Sequence, residues 1–155
     1  MSYSFLHNIE QNKLIVSLTG KVTALEEKIN SMKLWESIPL ASIGSFGFKS
    51  KDVVKYAIPT SIPATATEVL IVYFLRCGNE PPSRDFKVNM WTNVNGKKYQ
   101  RVKFGHRYPQ SAISFDSENL WFPISVQDRN LYVQSDDVQL NNCHYVQFFV
   151  IGYRN

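Results

Sequence analysis

The chain has 155 residues, a formal net charge of +4, 44% hydrophobic residues, 19% charged residues and 14% aromatics. That balance excludes an intrinsically disordered chain, and no apolar run reaches the roughly 18 residues a membrane-crossing helix needs, so the protein is expected to be soluble. The modest charge also weighs against nucleic acid as the principal partner.

Residues 1–16 lack the basic start, apolar centre and small-residue cleavage site of a secretory signal, and the sequence holds no Asn-x-Ser/Thr acceptor. Both features favour synthesis outside the secretory pathway and leave the final location open. From Ile15 onward, apolar residues fall at Leu18, Val22, Leu25, Ile29 and Met32, alternating steps of three and four. This places Ile15, Val22 and Ile29 at heptad position a and Leu18, Leu25 and Met32 at d. Lys21 at g then reaches Glu26 at e of a parallel neighbour. The spacing predicts that residues 1–36 form an N-terminal helical oligomerisation segment, a short coiled coil, with a trimer favoured. Lys28, Lys33 and Gly20 weaken it, so the helix is not expected to hold an oligomer alone. The competing reading makes Leu14–Leu18 a strand, with Thr23 and Glu26 capping a short docked helix.

After Pro39 the helical period does not return. Residues 37–155 are predicted to be one mainly β head domain, an antiparallel β-sandwich of jelly-roll type, entered through a linker at Ser37–Ala41. Strands are expected near 44–49, 53–58, 67–77, 86–94, 97–105, 111–115, 119–126, 130–135 and 143–153. Val69–Leu75 and Tyr145–Ile151 are apolar on both faces, which suits central strands or strands with one face in a subunit interface. Pro59 and Pro63 make 59–66 a loop or edge. Cys77 and Cys143 sit at the edges of the two most apolar runs and read better as buried small hydrophobes than as a bridge.

The hairpin at 86–104 poses a register question. A two-residue Asn95-Gly96 turn puts Val88 opposite Lys103. A three-residue loop of Val94, Asn95 and Gly96, with Gly96 left-handed, instead pairs Val88 with Val102 and Phe86 with Phe104, burying the whole apolar set. The second register is the one expected. It presents Trp91 opposite Tyr99 and Asn89 opposite Arg101 on the outer face.

Flat aromatics beside amide and guanidinium donors are the ingredients of a sugar or anion site, so Trp91, Tyr99, Asn89 and Arg101 are the first ligand-binding candidates. The loop His106-Arg107-Tyr108-Pro109-Gln110 supplies the second set, His106, Arg107 and Tyr108, because loops at the end of a sandwich concentrate ligand contacts. Basic residues from Lys97 to Arg107 read mostly as a solvated strand face. Asp116-Ser117-Glu118-Asn119 and Asp136-Asp137 read as turns rather than calcium loops. Leu120-Trp121-Phe122-Pro123 reads as core and edge closure.

No His-x-His metal pair, Gly-rich phosphate loop or Cys/His nucleophile pair is present, so no enzyme, metal or cofactor is expected. The order of parts resembles only the broad architecture of trimeric stalk-and-head proteins such as fibre tips, C1q-like heads and lectin heads. The expected function is non-enzymatic recognition of a glycan or cell-surface receptor by a homo-oligomer. A scaffold protein that uses the sandwich for self-association is the alternative.

Overall fold

A computed structural model describes residues 3–31, 35–78, 82–108, 113–139 and 144–155. The chain divides into two compact units, Met1–Leu34 and Trp35–Asn155. The first is a single helix, α1 (Tyr3–Ser31). A proline-free run rich in Leu, Lys and Glu propagates it through Gly20. The strand reading of Leu14–Leu18 is therefore overturned, and Thr23 is a helix-interior residue rather than a cap. The Thr19 hydroxyl donates back to the Ile15 carbonyl at 2.9 Å, as an interior hydroxyl often does. Within the helix, Ile15, Leu18, Val22 and Leu25 are between 51% and 59% exposed. The side chains of Ile29, Met32, Lys28 and Lys33 lie outside those described.

The second unit is mainly β. Its strands are β1 (Glu36–Phe46), β2 (Val54–Ala57), β3 (Glu68–Cys77), β4 (Arg84–Val94), β5 (Lys97–Arg107), β6 (Ser114–Pro123), β7 (Asn130–Ser135) and β8 (Tyr145–Arg154). They form two four-stranded sheets in the orders β1-β8-β3-β6 and β2-β7-β4-β5, with every pairing antiparallel. The pairs β1·β8, β2·β7, β3·β6 and β4·β5 nest inside one another like a single long hairpin folded over. Alternate residues of both sheets meet in the core, where Phe48, Ile71, Tyr73, Phe86, Leu131 and Phe148 are essentially inaccessible. The two doubly apolar runs are the inner strands β3 and β8 of the first sheet, each paired on both sides.

Besides the loop expected at 106–110, whose His106 and Arg107 belong to β5, three details differ from the sequence expectation. Residues 37–41 belong to β1 rather than to a linker. Pro39 is tolerated there because β1 is an edge strand whose register is interrupted between Ser37 and Ala41. The segment 114–123 is one strand, not two with a turn between them. Asp116 to Asn119 pair with Leu75 to Val72 along β3, and their polarity suits an edge strand at a seam. The third difference is the 86–104 hairpin. Asn95 and Gly96 both have positive φ, 50° and 75°, and Val94 pairs directly with Lys97. This is the two-residue turn that Asn-Gly favours, and it puts Val88 opposite Lys103 and Asn89 opposite Val102. Local turn chemistry outweighs burial of the apolar set because β5 is an edge strand. Phe104 is consequently 66% exposed, on the outer face.

Cys77 is a free, buried cysteine. Cys143 lies outside the described residues, as do Pro109 and Gln110.

Candidate functional site

The one-residue change of register separates the first predicted site. Trp91 and Asn89 face outward on β4, opposite Gln100 and Val102, whereas Tyr99 and Arg101 stand opposite Thr92 and Met90 and so share the other face of the sheet. Trp91 is also covered. Its ring stacks on Tyr132 with centroids 5.6 Å apart and 12° between planes, and the Lys98 ammonium sits 3.8 Å from the ring centroid. Only 8% of Trp91 is exposed, so no open aromatic face is left for a sugar ring. The Asn89 side-chain oxygen accepts from Gln100 Nε2 at 2.8 Å. The exposed Arg101 guanidinium touches the neighbouring Gln100 carbonyl at 3.3 Å.

The second set fares differently. His106 faces Asp85 directly across the β4·β5 ladder, and its Nδ1 lies 2.7 Å from Asp85 Oδ1. Its Nε2 lies 3.0 Å from Ser83 Oγ, and the Ser83 hydroxyl is also 3.1 Å from the Arg107 carbonyl oxygen. Tyr108 packs edge-on against the His106 ring, 5.0 Å between centroids. Asp85, His106 and Tyr108 open onto a cleft of about 250 Å³ at the seam between the sheets, with Phe104, Ser114 and Asp116 among its walls. Arg107 points the opposite way. It is buried, donating through Nε to Asp137 Oδ2 at 2.6 Å and through a terminal nitrogen to Oδ1 at 2.8 Å, with a further bond to the Val138 carbonyl. Arg84 also pairs with Asp137. Arg107 therefore fastens the end of β5 to the segment after β7, and its guanidinium is not offered to a ligand.

Behind the cleft, the seam is closed by charge. The Lys103 ammonium lies 2.8 Å from Glu118 and 3.3 Å from Asp116, and the Tyr73 hydroxyl donates to both carboxylates at 3.0 and 3.3 Å. The hydrogen bond from Lys103 holds Glu118 below the usual carboxylate range. The same bond, with one that Lys103 gives to Tyr73, raises Lys103. Burial raises the Tyr73 phenol. These groups satisfy one another, and at the other end of the cleft His106 is held by Asp85 and Ser83.

A larger cavity, about 400 Å³, opens at the opposite seam between the β1 and β2 edges. Its Tyr56 hydroxyl already donates to the Ser45 carbonyl at 2.8 Å, and burial pushes that phenol up to about 12. Convergent charge, rather than volume, favours the His106 cleft as the site. Among the described residues no group of three or more His, Cys, Asp and Glu is placed to hold a metal ion. Among the described residues no helix is long and apolar enough to cross a membrane.

Sequence reasoning missed Ser83, Asp85, Ser114 and Asp116. The signal for Asp85 was present: the two-residue Asn95-Gly96 turn by itself sets Asp85 opposite His106. No protein-family model and no curated protein matches the chain.

Proposed function

We propose that this chain is a homo-oligomeric recognition protein, a trimer of jelly-roll heads on a short parallel coiled coil, which presents the His106 cleft to a glycan or cell-surface receptor. The observation that carries the oligomer is the exposed stripe of Ile15, Leu18, Val22 and Leu25, four large apolar side chains on one face of α1 that need a partner to leave water. The nested pairs β1·β8, β2·β7, β3·β6 and β4·β5 support a jelly roll, because winding such a ribbon into two sheets gives that architecture its Greek keys. The cleft supports recognition: Tyr108 and Phe104 offer apolar ring surface, while Asp85 and Ser114 offer acceptors suited to hydroxyl groups. A shallow site of this size binds at about millimolar affinity, and repetition on a trimer supplies the avidity.

Light scattering tests the assembly. A trimer mass at micromolar concentration is expected, a dimer corrects the stoichiometry, and a monomer overturns the reading. Multivalent glycan surfaces test the cleft, where Tyr108→Ala and His106→Ala are expected to weaken binding greatly without changing the oligomeric mass. Undiminished binding by both variants removes the cleft from the proposal.

The scaffold alternative has its own observation. On the outer face of the first sheet, Phe74 is exposed and meets Phe149 edge-on at 5.7 Å, and Phe115 is exposed on the neighbouring strand. If Phe74→Asp dissociates the protein while glycan surfaces bind nothing, self-association is the function.

A further inference from the structure

We propose that Ser83, just before β4, is an activated nucleophile, with His106 as its general base and Asp85 as the carboxylate that orients the base, and that it thereby accepts acyl groups from small carboxylic esters that reach it beside the cleft lined by His106 and Asp85. Two paired strand residues, Asp85 on β4 and His106 on β5, converge with Ser83, just before β4, in the order such chemistry requires. Asp85 Oδ1 stands 2.7 Å from His106 Nδ1, and His106 Nε2 stands 3.0 Å from Ser83 Oγ. A carboxylate on Nδ1 selects the tautomer that carries its hydrogen there, which leaves the Nε2 lone pair facing the serine hydroxyl. Asp85 is on β4 and Ser83 lies two residues earlier, just before that strand begins. The opposing strand supplies the middle of the relay through the directly paired His106. The Ser83 hydroxyl also donates to the Arg107 carbonyl at 3.1 Å, so it turns from that acceptor to His106 Nε2, 3.0 Å away, when its proton is taken. Tyr108, edge-on at 5.0 Å, restrains the imidazole from the other side.

The chemistry closes without an outside oxidant or metal. Ser83 Oγ forms a bond to the ester carbonyl carbon while its proton passes to His106 Nε2. The imidazolium then returns that proton to the departing alkoxide as the ester C–O bond breaks, leaving an acyl-serine and an alcohol. Water, deprotonated by the same nitrogen, attacks the acyl carbon and releases the carboxylic acid and the free serine. A cleft of about 250 Å³ suits a short acyl group such as acetyl.

This inference goes beyond glycan recognition and is read separately from it. The full-length protein is treated with diisopropyl fluorophosphate, and the adduct is located by intact mass and peptide mapping; p-nitrophenyl acetate serves as the acyl donor in parallel. A single adduct on Ser83 is expected, absent in Ser83→Ala and formed about 100-fold more slowly in His106→Gln. Asp85→Asn is expected to slow labelling and to displace its pH profile, a change that a merely structural residue would not produce. Circular dichroism confirms that each variant keeps the strand content of the parent; all three positions lie outside the core. Labelling at another residue, no labelling, or a Ser83 rate unchanged by His106→Gln overturns the inference. Parent protein that binds glycan surfaces but leaves Ser83 unlabelled overturns this inference alone. Protein that is labelled but binds no surface overturns the recognition reading alone.

Discussion

Asp137 is fully buried and accepts from two arginines, one of which, Arg107, is itself only 5% exposed. Removing Arg107 leaves Asp137 with only the half-exposed Arg84 as cationic partner, so Arg107→Ala is expected to destabilise the head by about 1–3 kcal/mol, read as a lowered urea midpoint. A loss below about 1 kcal/mol would show that solvent reaches Asp137. A cationic residue in a polar loop looks from sequence like a ligand donor, and nothing local distinguishes it from an anchor whose acid lies thirty positions away. The Lys103 cluster makes a second prediction. Glu118 has a folded pKa held below its ordinary 4.5, so its contribution is complete above that value and is lost as pH falls below it. Lys103 is raised above 10.5, so its contribution is complete below that value and is lost as pH rises beyond it. Stability should therefore fall off on both sides of a plateau spanning about pH 4.5 to 10.5. Glu118→Gln should flatten the acid limb, a small and salt-sensitive effect for a half-exposed pair. An acid limb unchanged in that variant would assign it to other carboxylates, with Asp128 the first to examine. There burial opposes ionisation, but bonds from Asn130, Asn93 and Tyr132 outweigh it and hold the group low.

Among the elements, the β4–β5 hairpin shows how far pattern alone can be read. Both strands, and the turn between them, follow from the apolar alternation and the Asn-Gly pair. The register does not, because maximal burial and turn geometry point to different answers. On an edge strand the penalty for exposing Val102 and Phe104 is small enough for the turn to decide, and Lys103 takes the inward place by pairing with Asp116 and Glu118. That single choice moves Tyr99 and Arg101 away from Trp91 and brings Asp85 to His106, so most of the error in the first site has one origin. Gly96 has open space around its Cα, which makes any cost of substitution a backbone cost. Gly96→Val should destabilise the head by roughly 1–2 kcal/mol in thermal melts, and Gly96→Asn by less, since Asn tolerates the left-handed region. Equal costs for the two would point to side-chain crowding instead of φ. The misplaced linker at 37–41 and the divided β6 share a cause of another kind. Proline and acidic clusters are read as breaks, yet edge strands accept both where one side needs no ladder partner.

At the scale of the molecule, the division into a helix and a sandwich was legible because a change from helical to strand periodicity survives any local ambiguity. Which surfaces meet was not, since a single chain's pattern marks a stripe as apolar without saying what covers it. Removing residues 1–34 is expected to leave a folded head with weakened assembly, checked by light scattering beside circular dichroism. Loss of the strand signal would show that the head needs the helix in order to fold. The nested pairing carries a further consequence for how the protein is made. The strand that begins the head, β1, bonds to the one that completes it, β8, and the sheet's other inner strand, β3, also waits for β8 on one side. Such distant contacts make closure slow, whereas α1 depends on neighbours within a few residues and is finished early. In the oligomer proposed above, the helix would find its partners during synthesis while each head is still open. Assembly through the stalk would then hold several unclosed sandwiches side by side, with the unpaired edges of β1 and β3 in reach of the wrong copy of β8. Exchange of that strand between heads is the misfolding hazard specific to this order of parts.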